Sequence, residues 1–125
     1  MGSPSGKLRI LLVDDEVLVR RALERHLRHH EVLHAEGYAQ ALDVLRSHPV
    51  DVIVSDSLAS LGGVNVLRAA SELQPTARRI MWSTDAPPRL TQLVKDGVIH
   101  CFVPKPWDAS LLLGEIQKEE TAAVV

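Results

Sequence analysis

The strongest constraint in this sequence is a regular exchange between two hydrophobic periods. Leu8-Arg9-Ile10-Leu11-Leu12-Val13 is an almost unbroken apolar run that ends at Asp14-Asp15. Such a run suits a strand buried on both faces. Val17 to His30 then carries Val19, Ala22, Leu23 and Leu27 among arginines and glutamate, which is the spacing of an amphipathic helix. Glu31 to Ala35 reads as a weaker strand. Ala39 to His48 returns to helical spacing through Ala39, Leu42 and Leu45, and Pro49 stops it. Val50 to Ser55 is a strand ending at Asp56, followed by a helix over Gly63–Leu73. Arg79 to Trp82 is a strand ending at Ser83-Thr84. Pro88 to Asp96 is a short helix closed by Gly97. Val98 to Val103 is the last strand, and Asp108 caps a helix running to Glu119.

The order is strand then helix, five times over. Apolar strands alternating with helices define an α/β fold with a five-stranded parallel sheet covered on both sides. Right-handed crossovers leave few ways to wind it. At 125 residues and 46% hydrophobic, the chain makes one domain that needs no metal or disulfide to fold. A formal charge of −2 and a pI near 6.3 supply no basic field for a nucleic-acid backbone. Cys101 is the sole cysteine, which excludes an internal disulfide and a cysteine-based zinc site and suits a reducing, cytoplasmic setting. No apolar run approaches the roughly 18 residues a membrane helix needs. Residues 1–6, MGSPSG, read as a loose or expression-derived N-terminus, 7–120 as the domain, and 121–125 as a tail or the start of a linker.

In such sheets chemistry collects at the carboxyl ends of the strands, where strand order reverses. Those ends carry Asp14, Asp15 and Glu16 after strand 1, Asp56 after strand 3, Ser83-Thr84 after strand 4, and Pro104-Lys105-Pro106 after strand 5. Clustered carboxylates need a cation, and hard oxygen ligands suit Mg²⁺. A carboxylate beside that ion can serve as a nucleophile toward a phosphoryl group. Lysine can neutralise one phosphoryl oxygen while a hydroxyl of Ser83 or Thr84 donates to another.

These residues resemble the receiver domains of response regulators in two-component signalling, the CheY-like superfamily, over roughly Lys7 to Glu120. Leu12-Val13-Asp14-Asp15-Glu16 matches the family's acidic turn, Asp56 the phospho-acceptor, Ser83 the switch hydroxyl, and Lys105-Pro106 the lysine and its following proline. Lys105 lies 22 residues beyond Ser83, as is usual in the family. The resemblance implies a doubly wound, flavodoxin-like (βα)5 fold with strand order 2-1-3-4-5. It implies Mg²⁺ held by Asp14, Asp15, Asp56 and the backbone carbonyl of Leu58. The phosphodonor would be a phosphohistidine on a sensor histidine kinase or a phosphotransfer protein. Phosphorylation would draw in Ser83 and turn Phe102, the family's aromatic switch position, changing a surface of the fourth helix, fifth strand and fifth helix. That surface could also form a homodimer. The domain would be bacterial and cytoplasmic, would catalyse only its own phosphorylation and slow dephosphorylation, and would touch neither membrane nor nucleic acid.

The sequence departs from the family in places. Gly63 arrives seven residues after Asp56, one early, and the usual proline of this loop is missing from Ser57–Gly62. Thr84 stands where the family prefers Ala or Gly, which narrows the path to Asp56. Leu58 cannot position an attacking water, so a long-lived phosphoryl group is expected. These departures leave one alternative, a divergent receiver acting as a phosphorylation-independent interaction module. A phosphatase passing through an aspartyl phosphate would need a second acid where Leu58 stands. A flavodoxin-like cofactor carrier would need a phosphate-cradling loop where the acids of strand 1 stand. The histidines His26, His29 and His30 and the arginines Arg20, Arg21, Arg25 and Arg28 are expected on a solvated helix face. Trp82 and Trp107 are expected to pack.

Overall fold

The computed structural model describes residues 7–56, 63–105 and 110–116. Five parallel strands form one sheet in the order β2-β1-β3-β4-β5. They are β1 (Arg9–Val13), β2 (Glu31–Ala35), β3 (Val52–Ser55), β4 (Arg78–Ser83) and β5 (Cys101–Pro104). Between them run α1 (Val17–His26), α2 (Tyr38–Ser47), α3 (Gly63–Leu73) and α4 (Leu90–Lys95), and residues 110–116 form α5. The expected architecture and strand order are both present.

The two faces of the sheet sort side chains with the period of a strand. Leu11, Val13, Ile53 and Met81 point to one side and pack against Ala41 and Leu45 of α2, Val66, Leu67 and Ala70 of α3, and Leu93 of α4. Ile10, Leu12, Val54, Ile80, Trp82 and Val103 point to the other, against Leu23 of α1 and Leu112 and Ile116 of α5. With helices on both faces, the central strands need apolar residues at every position. That is why β1 and β3 read as continuous rather than alternating runs.

Several element ends fall short of the sequence expectation, each for a local reason. Helix α1 stops at His26 rather than His30, because the chain tightens there: the Leu27 N–H donates to Glu24 O at 3.0 Å and the His30 N–H to Leu27 O at 2.8 Å. His30 is buried, and its Nδ1 accepts the Leu8 N–H at 3.0 Å. The shared solvated helix face expected for His26, His29 and His30 is therefore not formed. Helix α4 starts at Leu90 rather than Pro88, since Arg89 sits in the left-handed region at φ 64. Gly97 closes α4 as expected, at φ 76, with its N–H on Val94 O. The next two amides, of Val98 and Ile99, turn back to Leu93 O, so β5 starts at Cys101 instead of Val98. The expected cap Asp108, and Pro106 and Trp107, lie outside the described residues.

Candidate functional site

The sheet order reverses between β1 and β3, and the chain leaves both strands at the same rim. Asp14 follows Val13 directly, and its N–H still donates to Ala35 O of β2 at 3.1 Å. Asp56 follows Ser55, and its N–H donates to Val13 O at 3.0 Å. The ladder thus fixes both acidic residues by their own backbone. Lys105 is fixed likewise, one residue past β5, by its N–H on Ser83 O at 2.9 Å. Its side chain runs back over the rim. Its Nζ donates to Asp14 Oδ2 at 3.0 Å and to Asp56 Oδ2 at 3.1 Å. All three side chains are under one-tenth exposed.

Burial alone would push the Lys105 ammonium down, but its hydrogen bonds to Asp14 and Asp56 and their charges outweigh this and raise it. The cation is held firmly in its charged form. Asp14, Asp15, Glu16 and Asp56 still outnumber it, so the rim remains strongly acidic.

Asp14 does not cap α1. The N-cap is Glu16, without a side-chain cap bond, while Asp14 Oδ1 accepts the Glu16 N–H at 2.9 Å and shapes the turn. Asp15 is exposed beside it. One carboxylate oxygen from each of Asp14, Asp15 and Glu16 lies within 4.8 Å of the others. This set of hard oxygen donors beside Asp56 fits Mg²⁺. The sequence marks Glu16 as part of the acidic turn and not as a ligand; the turn sets its carboxylate beside those of Asp14 and Asp15. The carbonyl expected from Leu58, and the Ser57–Gly62 loop, lie outside the described residues.

The remaining expected residues differ in how far they are exposed. Ser83 is fully buried at the end of β4. Thr84 is exposed. Phe102 is half-buried on the side of the sheet that carries α2, α3 and α4. Lys105 and Trp82, by contrast, meet each other, with the Nζ 4.9 Å from the ring centroid.

Sequence reasoning missed Arg20, which it placed on a solvated face. Arg20 is buried, and its Nη1 donates to the Asp14 carbonyl at 2.6 Å. Its Nε donates to His34 Nδ1 at 3.3 Å, and His34 Nε2 meets Glu24 Oε1 at 3.0 Å. The only available signal was its place one turn beyond the acids. That place brings a long side chain back over the preceding turn.

Comparison with known proteins agrees with this geometry. The profile of the response regulator receiver domain family matches residues 10–117. No curated protein matches the chain. Among solved structures, an adenylate cyclase from Rhodopirellula baltica is 28% identical, with a TM-score of 0.80 over 92% of this chain and 88% of that one. The signal receiver domain of an HD domain-containing protein from Pseudomonas fluorescens Pf-5 is 26% identical, with a TM-score of 0.81 over 90% and 94%. A response regulator protein from Burkholderia pseudomallei, solved with a phosphorylated aspartic acid and a calcium ion, is 21% identical. It superposes with a TM-score of 0.77 over 94% of this chain and 75% of that one. This chain belongs to the response regulator receiver domain family of two-component signalling.

Proposed function

We propose that the domain accepts a phosphoryl group on Asp56 from a phosphohistidine of a sensor histidine kinase or phosphotransfer protein, with Mg²⁺ bound at the acidic rim. The observation that carries this is the single Lys105 ammonium shared between Asp14 and Asp56 at the reversal of strand order. Asp56 is the acid at the end of the central strand β3, and Asp14 with Asp15 would hold the ion beside it.

In the transfer, a carboxylate oxygen of Asp56 attacks phosphorus. The P–N bond of the donor breaks, and its electron pair leaves on the imidazole nitrogen. Bound Mg²⁺ supplies neutralisation of the phosphoryl charge. Lys105 offers its ammonium to one phosphoryl oxygen in place of the Asp56 carboxylate, and the Ser83 hydroxyl donates to another. Drawing Ser83 toward the phosphate opens space for Phe102 on the same strand ends. The surface of α4, β5 and α5 then changes, and a kinase-dependent signal leaves by that route. The domain serves as both substrate and catalyst of this one transfer, in the cytoplasm, and turns over no other substrate.

Incubation with a small acyl phosphate, followed by ³¹P NMR, tests this. The account expects an acyl-phosphate resonance on the protein that forms with Mg²⁺ and fails to form with excess chelator. A folded protein that gains no phosphoryl group with Mg²⁺ present overturns it and leaves a phosphorylation-independent interaction module.

A further inference from the structure

Trp82 lies on β4, one residue before Ser83, and is 5% exposed. It packs with Leu12, Val54, Val103 and Leu112 on the side of the sheet that carries α1 and α5. An apolar side chain would serve that packing equally well. The indole instead brings a buried Nε1–H that has no hydrogen-bond partner among the described residues. A buried donor left without an acceptor is unfavourable. A phenylalanine would bring a ring without that donor.

What an aromatic ring adds over an aliphatic side chain is a face toward a cation. Lys105 Nζ stands 4.9 Å from its centroid, inside the roughly 6 Å range of a cation–π contact. The same ammonium meets Asp14 Oδ2 and Asp56 Oδ2. It is therefore bounded by two carboxylates and one aromatic face. Tryptophan is the best ring for this contact, and the effect grows where water is excluded, as it is here. The lysine stem carries several rotatable bonds, so two hydrogen bonds alone leave it room to swing with either acid. The ring removes that freedom from a third direction.

We infer that Trp82 is a positioning residue, holding the Lys105 ammonium over the nucleophile Asp56. The inference rests on the phosphotransfer reading for its consequence but not for its geometry. When a phosphoryl group takes up the Asp56 oxygen, Lys105 stays seated on the indole and meets the new charge without being displaced.

The experiment pairs Trp82→Phe with Trp82→Leu, and reads two quantities. The first is the Lys105 ε-methylene proton shift in the unphosphorylated protein, which an aromatic face moves upfield. The second is the rate of phosphorylation by the acyl phosphate with Mg²⁺. The expected result is an upfield shift in wild type that is lost in the Leu variant. The Phe variant keeps the rate within about threefold, and the Leu variant loses about tenfold. No upfield shift in wild type, an unchanged rate in the Leu variant, or equal losses in both variants overturns the inference. If wild type takes no phosphoryl group, the phosphotransfer reading fails and the shift alone decides where Trp82 holds Lys105. If the Leu variant does not fold, the wild-type shift and the Phe variant decide. An absent shift, or a tenfold loss with the ring retained, is then the contrary outcome.

Discussion

Lys105 Nζ stands 3.1 Å from Asp56 Oδ2 across 49 residues of chain, and the same atom is 3.0 Å from Asp14 Oδ2. Two buried carboxylates share one cation, so the two kinds of deletion have opposite consequences. Lys105→Met removes the cation that both buried acids share and is expected to cost about 3 kcal/mol. Asp56→Asn leaves Lys105 paired with Asp14 and removes one of four clustered negative charges. It is expected to be neutral or stabilising by up to about 1 kcal/mol. Urea unfolding without divalent ions checks both. A destabilised Asn variant alongside a Met variant of wild-type stability would reverse the electrostatic assignment.

Arg20 ties helix α1 to the acidic turn through the Asp14 carbonyl. Arg20→Ala removes a charged donor and leaves that carbonyl without its partner. The expected loss is about 2 kcal/mol in thermal or urea unfolding. Arg21→Ala, on the exposed part of the same helix, is expected to stay within about 0.5 kcal/mol of wild type. Equal effects would place Arg20 in solvent after all.

At the opposite end of the sheet, buried Arg79 donates to four backbone carbonyls, of Pro75, Ala77, Gly97 and Val98. Its own N–H donates to His100 Nδ1 at 2.8 Å. Burial first, and then the charges of Arg79 and Arg78, push the His100 imidazole below its ordinary 6.5. A base depressed on folding takes up its proton in the unfolded chain first. Its stabilising contribution is therefore complete above about 6.5 and is lost as the pH falls below that, through the folded value. His100→Gln keeps an acceptor for the Arg79 amide and is expected to flatten this part of the stability–pH curve. An unaltered slope between pH 7 and 5 would contradict it.

Ser83 is fully buried, and its backbone carbonyl, which any side chain at this position keeps, accepts the Lys105 N–H. Ser83→Ala should therefore leave the lysine in place. Phosphorylation of Asp56 is expected to slow by about tenfold to a hundredfold for one lost hydrogen bond to a charged group. The shift perturbations that phosphorylation causes at Phe102 and along α4 are expected to shrink. NMR of the phosphorylated Ser83→Ala protein tests this, and full-sized perturbations would detach Ser83 from the switch.

Much of this arrangement was legible because backbone and chemistry coincide. Strand runs that end at Asp14, Asp56 and Ser83 place those residues at one rim of any parallel sheet, so strand periodicity locates the site without side-chain detail. Element ends were less legible. The starts of α4 and β5 depend on Arg89 adopting a left-handed conformation and on two amides turning back to Leu93, which no periodicity records. Burial of charged residues was the least legible. Arg20 and Arg79 look like surface arginines, because their partners are backbone carbonyls brought near only by the fold. Trp82 read correctly as a packing residue, but its contact with Lys105 requires the register of β4 against β5.

The most direct measurement is intact mass after incubation with Mg²⁺ and a small acyl phosphate, for wild type and Asp56→Asn side by side. The account predicts one added phosphoryl group on wild type and none on the variant. An adduct of the same size on both proteins would place the acceptor elsewhere and contradict the assignment of Asp56.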